Sequence, residues 1–216
     1  MHCSKLVGNT DETCSEMKQL LFVGFVCLLI SCNDGKSKGM EESAFQKELN
    51  SEFKDASRSP LIESDLKVFK GLDFFPIDSI YVVEAQFSRT IDTDWFNMPT
   101  TRERVDKYRV YGILDFEISG EAFSLEVYQS EKLMSTEEYA NHLFLPFLDN
   151  TNGEESYGGG RYMDLEIPLS QVVVLDFNKA YNPYCAYNSE YSCPLVPIQN
   201  TLDISINAGV KSFKKE

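Results

Sequence analysis

After Pro60 the spacing of apolar residues drops from about four to about two, and this change constrains the fold more than any other feature of the chain. Before it, Phe45, Leu49 and Phe53 recur every fourth residue and form one helical stripe. Ser43-Ala44-Phe45-Gln46 fits a capping box, in which the Ser43 hydroxyl and the Gln46 amide satisfy each other's free backbone N–H groups. After it, short runs rich in β-branched and aromatic residues alternate apolar with polar between turn signals. Strands are expected over 80–87, 107–118, 122–128, 142–147, 161–167, 172–177 and 202–206. In the second run Tyr108, Val110, Gly112 and Leu114 share one face, and Ser119-Gly120 turns it back as a hairpin. A short helix is expected within 132–140. No crossover helix separates the strands, which argues for antiparallel pairing. The fold expected is mainly β, an antiparallel sandwich or partly open barrel with an N-terminal amphipathic helix.

The N-terminal part speaks to location. Leu20 to Ile30 is continuously apolar for 11 residues, about half of what a membrane-spanning helix needs. With Lys18 ahead of it and small residues behind, it reads as a cleavable export signal. Leu29-Ile30-Ser31-Cys32 resembles the lipobox of bacterial lipoproteins, which implies acyl chains on Cys32 and a membrane-anchored protein facing outside the cytoplasm. The stretch before Met17 holds one Lys and three acids, the wrong charge for the start of a signal, so translation is expected to begin at Met17. The organisation expected is a signal region over 1–31, a polar tether over 32–42 and one β-rich domain over 43–216.

Charge removes one class of partner. Residues 1–31 hold two of the 20 basic and three of the 34 acidic residues, which leaves 18 against 31 and a net charge of −13 for the remainder. Such a chain is not expected to bind nucleic acid, and its attachment to a membrane must come from lipid on Cys32 rather than from a basic face.

Two stretches escape the strand pattern, 89–103 and 178–200, and long loops in a compact domain tend to be functional. The second crowds Asn178, Tyr181, Asn182, Tyr184, Tyr187 and Tyr191 together, a composition common in sites for small polar ligands such as sugars, although it also suits an irregular loop satisfying its own backbone. Cys185 and Cys193 bracket part of it. Outside the cytoplasm a disulfide between them is expected, with a reactive thiol pair as the sharper alternative.

Other sequence features resemble a known family: Leu143 to Phe147 with Asp149, Gly160-Arg161-Tyr162, Leu175 to Asn178, Ala180-Tyr181-Asn182-Pro183, Cys185, Cys193-Pro194 and Ala208-Gly209. From Ser59 to Phe213 the chain resembles the bacterial domain of unknown function 1684 family. The resemblance implies a shared fold and no established activity. Val210-Lys211 stands where the family pattern has a Glu-Lys pair, so any chemistry carried by that Glu is missing here.

Gly158-Gly159-Gly160 is followed by a strand rather than a helix and by no Lys-Ser/Thr, so it is not a phosphate loop. Arg161 just after it either offers a bidentate donor to a ligand's carboxylate or pairs with Asp149, Glu154 or Asp176 as a structural ion pair, the commoner use. The turn over 168–171 is expected to pair the two strands it joins, placing Arg161 beside Asn178. No metal is expected: the exported chain has His142 as its one histidine, more in keeping with packing than ligation, and the acidic run over 149–155 departs from a calcium loop at its third and fifth positions. No cofactor is expected either. Two functions remain. One is an envelope module binding a small polar ligand or partner through Arg161, Asn178, Tyr181 and Asn182. The other is an envelope enzyme, such as a hydrolase, using Arg161 with a carboxylate or Cys185.

Overall fold

The computed structural model describes residues 42–214. The signal region, Cys32 and all but the last residue of the tether lie outside the described residues. Among those described, no helix is long and apolar enough to cross a membrane.

Helix α1 (Ala44–Lys54) begins at the expected capping box. Ser43 N–H donates to Gln46 Oε1 at 3.0 Å and Gln46 N–H to Ser43 Oγ at 3.2 Å. Helix α2 (Glu63–Val68) follows. The sheet comprises β1 (Val82–Arg89), β2 (Phe96–Met98), β3 (Asp106–Ile118), β4 (Glu121–Ser130), β5 (His142–Phe147), β6 (Arg161–Glu166) and β7 (Val172–Asp176), with the short α3 (Glu131–Met134) after β4. Every strand pair is antiparallel. The order is β6-β5-β4-β3-β1-β7, with β2 on β3, and the sheet curls into a half-barrel.

The hairpin of β3 and β4 turns at Ser119-Gly120, both with positive φ, as a tight hairpin turn demands. The expected pairing of β6 with β7 does not form: these strands end the sheet at opposite sides. The connection over 168–171 contains none of the left-handed residues that turn β3 into β4, and β7 instead lies on β1, with Val172 to Asp176 opposite Gln86 to Val82. The helix expected over 132–140 stops at Met134. There the Ser135 and Thr136 hydroxyls donate to the carbonyls of Lys132 and Leu133 at 2.6 and 2.8 Å and take the acceptors a further turn would use. The run expected over 202–206 forms no strand: the chain bends at Asp203 and Ile204, Leu202 and Ile204 bond the backbone of Leu148 and Asn150, and Ile206 gives its N–H and carbonyl to the side chains of Asp149 and Arg161.

Alternation gives the sheet two apolar faces. The inner face gathers Ala85, Leu114, Leu125, Leu143, Phe147 and Leu175 into the main core, with Phe177 beyond β7. The opposite face of β3 to β6 buries Tyr108, Tyr128, Phe144 and Tyr162 beside Met98. A third cluster packs α1 and the segment after it, through Phe53, Leu61 and Leu72, onto Tyr187 and Val210. At about 1.5–3 kcal/mol for each large side chain buried, that third cluster holds α1 against the 178–200 loop.

Candidate functional site

A cleft of about 620 Å³ lies between α1, the outer face of β3 to β6 and the 178–200 loop. All three residues of the helical stripe border it: Phe45 and Leu49 are half-buried, Leu49 also packing on the third cluster, while Gln46, Asn50 and Phe53 are the buried positions of α1. Asn50 explains why a polar residue sits there: its Oδ1 accepts the Leu72 N–H at 2.8 Å.

Strand register builds the polar centre of the cleft. Phe144 of β5 stands opposite Asp164 of β6, and His142 opposite Glu166, so His142, Phe144, Tyr162 and Asp164 point to one side. His142 Nε2 lies 2.8 Å from Asp164 Oδ1, and the Tyr181 hydroxyl donates to Asp164 Oδ2 at 2.8 Å. Burial pushes the Tyr181 hydroxyl pKa well up, and the Asp164 carboxylate adds to the effect, so Tyr181 remains a donor. On the α1 side the Tyr184 hydroxyl donates to Glu52 Oε1 at 3.0 Å. Burial and then the Glu52 carboxylate raise its pKa to about 12.

The two loops that escaped the strand pattern meet here. Thr101 N–H donates to the Cys193 carbonyl at 2.8 Å, Leu195 N–H to the Pro99 carbonyl at 2.8 Å, and Arg102 Nη1 to the Glu190 carbonyl at 2.8 Å. The loop also closes the curl of the sheet: Tyr162 and Tyr181 exchange backbone hydrogen bonds at 2.8 and 3.0 Å. The start of β6 therefore neighbours the 178–200 loop as expected, but through this bridge and not through a hairpin with β7.

Of the residues singled out from sequence, Tyr181 and Asn182 line the cleft; Arg161 and Asn178 do not. Asn178 is buried and bridges backbone, its Oδ1 accepting the Asp78 N–H at 3.0 Å and its Nδ2 donating to the Asp78 carbonyl at 2.9 Å. Arg161 is 0% exposed. Its Nη2 donates to Asp149 Oδ2 at 2.6 Å and to the Ile206 carbonyl at 2.8 Å, and its Nη1 to the Ala208 carbonyl. The Phe147 and Phe75 rings lie 5.2 and 5.7 Å from its guanidinium carbon. Burial pulls its pKa down while Asp149 counteracts. Nη1 and Nη2 are engaged in this way and Nε is buried without a partner, a setting that fits the ion-pair alternative better than ligand binding.

Cys185 and Cys193 are thiols side by side: Cys185 N–H donates to Cys193 Sγ at 3.3 Å, and the Tyr157 hydroxyl lies 3.7 Å from Cys185 Sγ. The contact with Cys193 is the main cause that lowers the Cys185 pKa to about 6, and the same contact, with burial, raises that of Cys193. Asp164 and Glu52 are cleft residues that the sequence reading passed over. The period-two pattern of β6 carried the signal for Asp164, since it puts that residue on the face of Tyr162. No group of three or more His, Cys, Asp and Glu side chains suited to a metal ion occurs among the described residues.

An antiparallel half-barrel with an aromatic-lined cleft on its outer face defines the class. The chain belongs to the family described as Protein of unknown function (DUF1684), whose model matches residues 67–211. It is similar in structure to the uncharacterized protein from gene locus rrnAC0354 of Haloarcula marismortui, solved by solution NMR. The two are 29% identical, the match covers 91% of this chain and 97% of that one, and the TM-score is 0.62. No curated protein matches the chain.

Proposed function

We propose that this protein is a cell-envelope lipoprotein whose β-rich domain binds a small polar ligand in the cleft around Asp164. The observation that carries the binding reading is the Asp164 carboxylate, held from two sides by His142 and Tyr181 on the wall of an aromatic cleft. Apolar walls with a few fixed polar groups are the usual form of a small-molecule site, and 620 Å³ falls within the usual size. Binding is favoured over hydrolysis because Asp164 occupies one ring nitrogen of His142 and the other is buried without a partner, so neither faces a hydroxyl or thiol that it would activate. The test is a panel of small polar fragments screened by NMR on labelled protein. Hits should shift the amides of His142, Asp164 and Tyr181 and weaken several-fold in Tyr181→Phe. Shifts confined to the far side of the sheet, at β1 and β7, would overturn the reading.

The lipid anchor rests on Leu29-Ile30-Ser31-Cys32 and the apolar run before it. With export goes a disulfide between Cys185 and Cys193, whose closeness requires little movement for bond formation. Intact mass after alkylation without reductant should show no added label. Two labelled thiols in native protein would reject the bond.

A further inference from the structure

The charges around the cleft are unequal. Glu48 and Glu52 from α1 and Asp164 from β6 line it, whereas the one arginine there, Arg104, is held by Asp106 at 2.6 Å. His142, the remaining basic group, already faces Asp164. Asp164 and Glu52 present acceptor oxygens, and Asn182 Oδ1 is buried in the cleft wall without any donor, in a residue only 1% exposed. Rings from three elements line the same cleft: Phe144 and Tyr162 from the sheet, Tyr181 and Tyr184 from the loop, and Phe45 from α1. Tyr162 stands edge-on to both Phe144 and Tyr181, at 4.7 and 6.0 Å between centroids.

A wall of carboxylates and aromatic rings attracts a cation twice, through direct charge and through the ring quadrupoles, and partial removal from water strengthens both. A neutral sugar would use the rings but gain little from the acids. An anion would be repelled by Glu48, Glu52 and Asp164 with Arg104 already engaged. We infer that the ligand of this cleft is a small organic cation, an ammonium group on an apolar body, with the nitrogen directed at Asp164. The inference rests on the binding reading above and adds the ligand's charge to it.

The test compares phenethylammonium with its neutral isostere phenethyl alcohol by NMR titration of the full domain at one fixed pH and ionic strength. The cation should bind about tenfold more tightly and shift the amides of Asp164 and Tyr181. That preference should fall as salt rises and shrink towards unity in Asp164→Asn. Glu52→Gln, which keeps the shape of the α1 wall, should reduce it about twofold to threefold and guards against misfolding of the first variant. Equal affinity of the two compounds in the cleft would overturn the inference and leave the binding reading standing. Binding of neither overturns the inference as well. The binding reading falls with it only if the fragment panel also fails to map to the cleft.

Discussion

Removing Arg161 would leave the Asp149 carboxylate fully buried with its two backbone donors but no counter-charge. Asp149 Oδ1 accepts from the Thr151 and Ile206 N–H groups at 2.9 and 3.2 Å, and Oδ2 from Arg161, so one pair ties β6 to the 149–156 turn and the 202–208 segment. Arg161→Met is expected to cost about 3–5 kcal/mol in urea unfolding, the usual penalty for breaking a buried pair from one side. Arg161→Lys should also be costly, because an ammonium lacks the planar fork that reaches Asp149 and two carbonyls together. A loss under about 1 kcal/mol for either would contradict the structural role. The reduced Cys185 offers a second residue-scale test. Its alkylation rate should rise with a midpoint near the lowered pKa of about 6 rather than the ordinary thiol value, since the thiolate is the reactive form. Cys193→Ala removes the neighbour chiefly responsible and should move that midpoint upward.

Elements with local signals were legible in the sequence. The capping box placed α1, and the period-two runs placed β3, β5 and β6 within a residue of their observed bounds. What local pattern does not encode is who pairs with whom. The 168–171 connection read as a hairpin, yet β7 is drawn to β1 by burial of Leu175 beside Val83 and Ala85 in the main core. The three-residue β2 was too short to show any alternation. For the candidate site the aromatic loop was visible but its polar centre was not, because Asp164 gains its meaning from His142 across a strand and from Tyr181 beyond the next one. At this scale α1 supplies one wall of the cleft. Leu49→Trp should fill the cleft and abolish fragment binding, with thermal stability changed by only a few degrees because residue 49 is half-buried. Phe53→Ala, by contrast, should cost about 3–5 kcal/mol, because Phe53 is fully buried against Tyr187 and Phe69.

The molecule as a whole combines a net acidic charge with the sequence Leu29-Ile30-Ser31-Cys32, on which the proposed lipid anchor rests. A net charge of this sign gains nothing from an anionic membrane, so attachment should depend entirely on acylation. Cys32→Ala should abolish labelling by a radioactive fatty acid and move the protein from the membrane to the soluble fraction, whereas continued labelling would sink the lipoprotein reading. The central claim is that the face of β3 to β6 opposite the main core is a ligand site. It is tested most directly by a crystal structure of the protein grown with the tightest fragment from the panel. The account predicts density between α1 and β6, with a ligand nitrogen about 3 Å from the Asp164 carboxylate and rings of the 178–200 loop against its apolar body. Density on any other face, with the cleft empty at a saturating ligand concentration, would contradict it.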